Sequence, residues 1–153
     1  MEEFTVSLIL INLLIAMQWT IIFSLIAFVG GGIVGFIVTL MRISQNKWLR
    51  GISLVYVEFL QGTPLLLQLF LAFFGLSVVF GVNLSPLQAA TLALTGFTSA
   101  FLADIWRGSI EAIPQGQWEA GKAIGFGYVK QLQLIIMPQA MKLSIAPTVG
   151  FIV

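Results

Sequence analysis

The sequence predicts an all-α integral membrane protein, and three observations carry that prediction. Hydrophobic residues make up 59% of the 153 and charged residues only 8%, where a soluble domain is about half apolar and about a quarter charged. Mean hydropathy is +1.04 over the whole length. The charges are also clustered, leaving 38 uncharged residues from Phe4 to Met41 and 45 from Phe59 to Ala103. A bilayer core of about 30 Å takes about 20 helical residues to cross, so both gaps hold spans. Seven Lys and Arg against six Asp and Glu leave no basic surplus for binding nucleic acid. With no cysteine and no histidine, disulfide scaffolds, thiol chemistry, zinc sites and imidazole catalysis drop out.

The first gap is too long for one upright helix. It reads as a lead segment over residues 1–16, periplasmic or interfacial, followed by a first span over 17–41. An acidic start, with Glu2 and Glu3, argues against a signal peptide. The second gap is divided by the breaker cluster from Gly81 to Pro86, with Ser85 placed to cap a helix and Pro86 at its first position. This gives a second span over 52–80 and a third over 86–105. A cytoplasmic loop over 106–137 and a fourth span over 139–153 complete the reading. The last span stops inside the apolar run Gly150-Phe-Ile-Val, so the chain is expected to be incomplete at its C-terminal end. Arg42, Lys47 and Arg50 form a loop with three cations and no anion. That loop is predicted to lie in the cytoplasm, which puts the N terminus outside.

Within the spans, Gly31 and Gly35 are spaced for close helix packing, reinforced by Gly30 and Gly32. In the third span Gln88, Thr91, Thr95, Thr98 and Ser99 recur every three or four residues and so share one face. That face meets either other helices or a wet pathway. The second span carries Glu58, then Gln61, Gly62, Thr63, Pro64 and Gln68. An ionisable group within a span is a functional candidate; alternatively Glu58 pairs near the interface with Arg42, Arg50 or another subunit's cation. Pro64 removes a backbone donor, which predicts a kink and freed carbonyls.

The loop contains Gly116-Gln-Trp-Glu-Ala-Gly-Lys122, which matches a phosphate-binding loop up to its final Ser/Thr. Ala123 stands where the Mg²⁺-binding hydroxyl belongs and no strand leads in, so nucleotide binding by this chain is excluded. The same stretch reads as a short helix over Gln117–Ile124 between glycines, with Glu119 in its first turn. Such a helix suits docking into a partner's groove, or lying on the membrane surface.

Three motifs then narrow the reading. Glu119-Ala120-Gly121, Gly125, Ile135, Met137 and Pro138 keep every spacing of E-A-A-x3-G-x9-I-x-L-P, the EAA loop, and the chain resembles the ABC importer permeases that carry it. Tyr56 to Gln68 resembles the second-span signature Y-x-E-x-x-R-G-T-P-L-L-x-Q of the polar amino acid uptake permeases (histidine, glutamine, arginine and glutamate types). Phe101 to Gln117 resembles their third-span exit, Y-x-A-E-x-x-R-G-G-I-x-A-I-x-x-G-Q. The departures include Gln61 for Arg, Asp104 for Glu, Ser109 for Gly, Gly121 for Ala and Met137 for Leu.

The resemblance implies the ABC importer helical bundle, with three full spans and part of a fourth here and five in a complete chain. It implies a multi-pass subunit of the bacterial inner membrane that moves a polar amino acid and has no catalytic activity of its own. ATP and Mg²⁺ would be bound by a cytoplasmic ABC ATPase dimer, so no cofactor is expected in this chain. Further expected partners are a second permease subunit, identical or not, and an extracytoplasmic amino acid-binding protein. Position by position, Glu119, Ala120, Gly121 and Gly125 would contact the ATPase, with Ile135 and Pro138 setting the return to the membrane. Glu58, Gly62, Thr63, Pro64 and Gln68 would shape the pathway, together with the Thr91, Thr95 and Thr98 face. The competing readings are a permease for another small polar solute, a stand-alone channel or ion-coupled carrier, and a structural assembly subunit. A carrier would need paired discontinuous spans or a charged path, and the last reading leaves the docking-type loop unexplained.

Overall fold

The computed structural model describes residues 6–152, and every element among them is helical. Glu2 and Glu3 and the remainder of 1–5, with Val153, lie outside the described residues. Helix α1 runs unbroken from Val6 to Arg42. Residues 6–16, expected as a separate lead, continue the same helix, because no glycine or proline interrupts the chain before Gly30. Its 37 residues make a rod of about 55 Å.

Helix α2 (Lys47–Gly62) starts at Asn46, whose side chain accepts from the Trp48 N–H at 2.9 Å. It ends at Thr63-Pro64, and α3 (Leu65–Phe80) leaves at a bend of 107°. The single kinked span expected over 52–80 is therefore two half-length helices meeting at a corner. Helix α3 contains a widened π turn over Leu71–Gly75 and closes on Gly81 at φ +68°.

Helix α4 runs from Pro86 to Glu111, longer than expected at its far end. Ser85 Oγ accepts from the Gln88 N–H while Gln88 Oε1 accepts from the Ser85 N–H, a complete capping box. Gln88 thus belongs to the cap and not to the threonine face. After the short helix α5 (Gln115–Ala123) comes α6 (Tyr128–Phe151), which begins eleven residues before the expected position 139. Pro138 cannot donate to the Leu134 carbonyl and crowds it. The helix absorbs this with a π turn over Leu132–Ile136, in which the Met137 N–H reaches back to the Leu132 carbonyl.

Contacts between α1 and α4 rise together in number: Gly30 faces Thr95, Gly35 faces Ser99 and Leu102, and Arg42 pairs with Asp104. The two helices therefore run parallel. Parallel spans need a net crossing between them, so the bent pair α2–α3 carries the chain across the bilayer once. The core follows this order. Val38, Val57, Ala100 and Ala103 join α1, α2 and α4; Ala72, Ala89 and Ala93 join α3 to α4. Ile110, Ile113, Ile136 and Ala140 join the end of α4 to α6.

Candidate docking surface and helix corner

The α1–α4 seam is built from the glycines and hydroxyls that the sequence sets on separate faces. A Cβ on Gly31 would stand 2.7 Å from Thr98 Cβ, and one on Gly30 would stand 2.9 Å from Thr95 Oγ1. Thr95 and Thr98 are therefore packed against a glycine notch of this chain's own α1, Thr98 buried and Thr95 half-buried. Thr91, farther out, is half-buried. Ser99 is fully buried, donating to the Gly96 carbonyl at 2.7 Å and sharing a 2.6 Å hydrogen bond with the Tyr56 hydroxyl of α2. Gln61, standing where the resemblance expects Arg, donates to the Ala100 carbonyl at 3.3 Å. Thr39 Oγ1 donates to the Gly35 carbonyl at 2.8 Å and lies 3.4 Å from that of Ala103. In lipid, where no water competes, such bonds replace the hydrophobic effect as the glue between helices.

The corner between α2 and α3 shows how Pro64 is tolerated. Its missing N–H orphans the Leu60 carbonyl, four residues back. Gln68 fills the vacancy: its Nε2 lies 2.7 Å from the Leu60 oxygen, 3.1 Å from that of Thr63 and 2.9 Å from Thr63 Oγ1. The Thr63 hydroxyl in turn donates to the Phe59 carbonyl at 2.9 Å. Gln68 is 6% exposed and its Oε1 has no hydrogen-bond partner. Gly62 has open space around its Cα. Glu58 is exposed on α2 and forms no ion pair among the described residues. Its expected cation Arg42 is committed to Asp104 at 3.1 Å, and Asp104 also receives Arg107 at 3.1 Å. Gln68→Leu keeps the volume but strands the Leu60 and Thr63 carbonyls, and is expected to lower stability by about 2 kcal/mol. Thermal unfolding of the detergent-solubilised chain checks this, with Gln68→Glu as a polar comparison.

Helix α5 is the candidate docking surface. It begins at Gln115, so Glu119 lies in its second turn and not in its first. The string resembling a phosphate loop is helical throughout. Glu119 and Ala120 are exposed, but Gly121 is buried against α6. A Cβ there would stand 2.8 Å from Gln131 Cγ and 3.0 Å from Ile135 Cδ1. Gly121 therefore seats the helix and is not on its outer face. Gly125 has φ +79°, with its N–H on the Lys122 carbonyl at 2.9 Å and the Phe126 N–H on the Gly121 carbonyl at 3.0 Å. These two bonds form a Schellman cap, which only glycine enters without strain.

Three residues that sequence reasoning passed over fix α5 in place. Gln131, 2% exposed, donates to the Phe126 carbonyl at 2.6 Å. Gln139 reaches Gln117 Oε1 at 3.1 Å and the Ile135 carbonyl at 2.9 Å. The Tyr128 hydroxyl donates to the Ile43 carbonyl at 2.7 Å, while its ring stacks on Trp118 at 5.8 Å. Ile135 packs beneath the helix, and Pro138 lies one turn on, at the edge of an apolar groove between α1, α4 and α6.

A parallel-seamed helical bundle with a broken second span and a short helix between its last two spans defines a multi-span membrane protein. Residues 31–152 match the family described as the binding-protein-dependent transport system inner membrane component, and the chain belongs to that family. It is 42% identical to the probable glutamine ABC transporter permease protein GlnM of Bacillus subtilis, over 84% of this chain and 59% of that protein. It is 41% identical to the L-cystine transport system permease protein TcyB of the same organism, over 84% and 55%. The chain thus spans less than two thirds of the length of these relatives. A crystal structure of an amino acid ABC transporter with histidines superposes with a TM-score of 0.86 at 30% identity, covering 99% of this chain and 72% of that one. A methionine ABC transporter, MetNI, in inward-facing conformations shares the fold at a TM-score of 0.60 and 22% identity, over 89% and 66%.

Proposed function

We propose that this chain is part of the permease subunit of an ATP-driven importer for a polar amino acid. In this reading α1, the bent pair α2–α3, α4 and α6 stand in the bacterial inner membrane with the N terminus outside. A second permease subunit completes the pathway, an extracytoplasmic binding protein delivers the solute, and a cytoplasmic ATPase dimer binds ATP and Mg²⁺. The observation that carries the reading is α5, a helix fixed on its inner side by Gly121, Gln131 and Gln139 while Glu119 and Ala120 stay exposed. A part that is rigidly braced yet outwardly bare transmits force to a partner. The corner at Pro64 supplies the discontinuity near which Glu58, Gly62 and Gln68 would meet the solute.

The test is co-purification with a cytoplasmic ABC ATPase, which this reading expects to be encoded beside the chain. Glu119→Lys reverses a charge on the exposed face without touching the packed one. It is expected to weaken association about tenfold or more, as for loss of a desolvated interfacial charge. Undiminished association together with normal transport-linked ATP hydrolysis would sink the docking assignment.

A further inference from the structure

A cavity of about 700 Å³ lies between the α1–α2 loop, the end of α4, helix α5 and the start of α6. Four charged residues line it: Arg42, Arg50, Lys122 and Glu111. Two are already compensated, Arg42 by Asp104 and Glu111 by Arg107. Arg50 and Lys122 have no ion-pair partner among the described residues, so the cavity holds two uncompensated cations from two different elements. The stacked pair Trp118 and Tyr128 lines the same cavity. The depth is that of a membrane boundary, where α1 leaves its apolar run at Arg42 and α4 ends at Glu111. Trp and Tyr favour that level, and cations there attract anionic lipid.

We propose that this cavity binds the phosphate group of an anionic phospholipid headgroup, held by Arg50 and Lys122 and bounded by Trp118 and Tyr128. Its volume lies within the range of small-ligand sites. A guanidinium forks onto phosphate oxygens and an ammonium adds a point charge. Because Arg50 belongs to the first turn of α2 and Lys122 to α5, the bound anion would brace α5 against α2. The assignment needs only the depth of the cavity in the bilayer, not the side on which it lies, so it stands or falls separately from the importer reading.

The test is native mass spectrometry of the chain extracted from membranes with its accompanying subunits. It is titrated with phosphatidylglycerol, with phosphatidylcholine, or with inorganic phosphate after the lipid has been stripped. Wild type is expected to retain phosphatidylglycerol over phosphatidylcholine. Arg50→Gln and Lys122→Gln should each lower its affinity about fivefold, and together about thirtyfold. The charge-keeping pair Arg50→Lys with Lys122→Arg should bind near wild type, as should Lys142→Gln outside the cavity. Equal phosphatidylglycerol binding by wild type and the neutral pair would overturn the site. So would equal loss in the neutral and charge-keeping pairs, which would mark a folding defect. Tight retention of inorganic phosphate, lost in the neutral pair, with no preference between the lipids would overturn the lipid source.

Discussion

Replacing Gly35 by valine is expected to abolish stable folding of the chain in the membrane. The Cβ alone would stand 2.9 Å from the Ser99 carbonyl oxygen and 3.4 Å from Ser99 Cα. Both are backbone atoms, so no side chain can rotate aside and the axes of α1 and α4 must part. Overpacking of this kind costs about 3 kcal/mol. Separation would also loosen the Thr39 contact with Ala103 and the Tyr56–Ser99 bond beside it. In a membrane the lipid offers no hydrophobic penalty to hold the helices together once contact is lost. The measurement is the amount of chain in membranes and its melting temperature in detergent. Gly32→Ala on the same helix, where the nearest atom is 4.0 Å away on Trp106, should change stability by less than about 0.5 kcal/mol. Similar behaviour of the two variants would refute the seam.

In the importer reading proposed above, Gly121→Leu is the second large effect, on coupling and not on folding. The side chain would enter the space held by Gln131 and Ile135 and lift α5 from α6, disrupting the Gln131 bond to Phe126. The membrane seam lies far along the chain from this contact, so the protein should reach the membrane in normal amount. Transport-linked ATP hydrolysis is expected to fall about tenfold or more, corresponding to about 1.4 kcal/mol of misplacement. Gly121→Ala adds only the Cβ, which meets side-chain atoms of Gln131 and Ile135 and no backbone, and should lose less activity than the leucine variant. Equal activity of the leucine and wild-type chains would show that the seating of α5 does not matter.

Which parts of this were legible follows from the range of each interaction. The 3.6-residue period set Thr95 and Thr98 on one face and Gly31 and Gly35 on another, but not that the two faces meet, which takes the whole α2–α3 passage to arrange. Pro64 announced a bend. Its size depended on Gln68 taking the orphaned carbonyl of Leu60, an eight-residue contact with no periodic signature. Helix α5 was visible from its glycines, while its true start at Gln115 was not, since Pro114 precedes it without a side-chain cap. Gly121 was read as a surface residue because its neighbours Gln131 and Ile135 come from the next helix. Arg42 and Asp104, 62 residues apart, were both conspicuous charges whose pairing no local rule could supply.

The parallel course of α1 and α4 has an electrostatic consequence. Antiparallel neighbours cancel each other's macrodipoles, whereas parallel ones set two negative C-terminal ends side by side. Here those ends fall at Arg42 and at the turn from Arg107 to Glu111, joined through Asp104. Two guanidiniums, Arg42 and Arg107, meet two carboxylates, Asp104 and Glu111, at this level, and each guanidinium sits in or beside the last turn of its helix, where positive charge offsets the aligned dipoles. Arg42, which sequence reading used to orient the chain in the bilayer and offered as a partner for Glu58, thereby also places a positive charge where two spans that point the same way come to their ends.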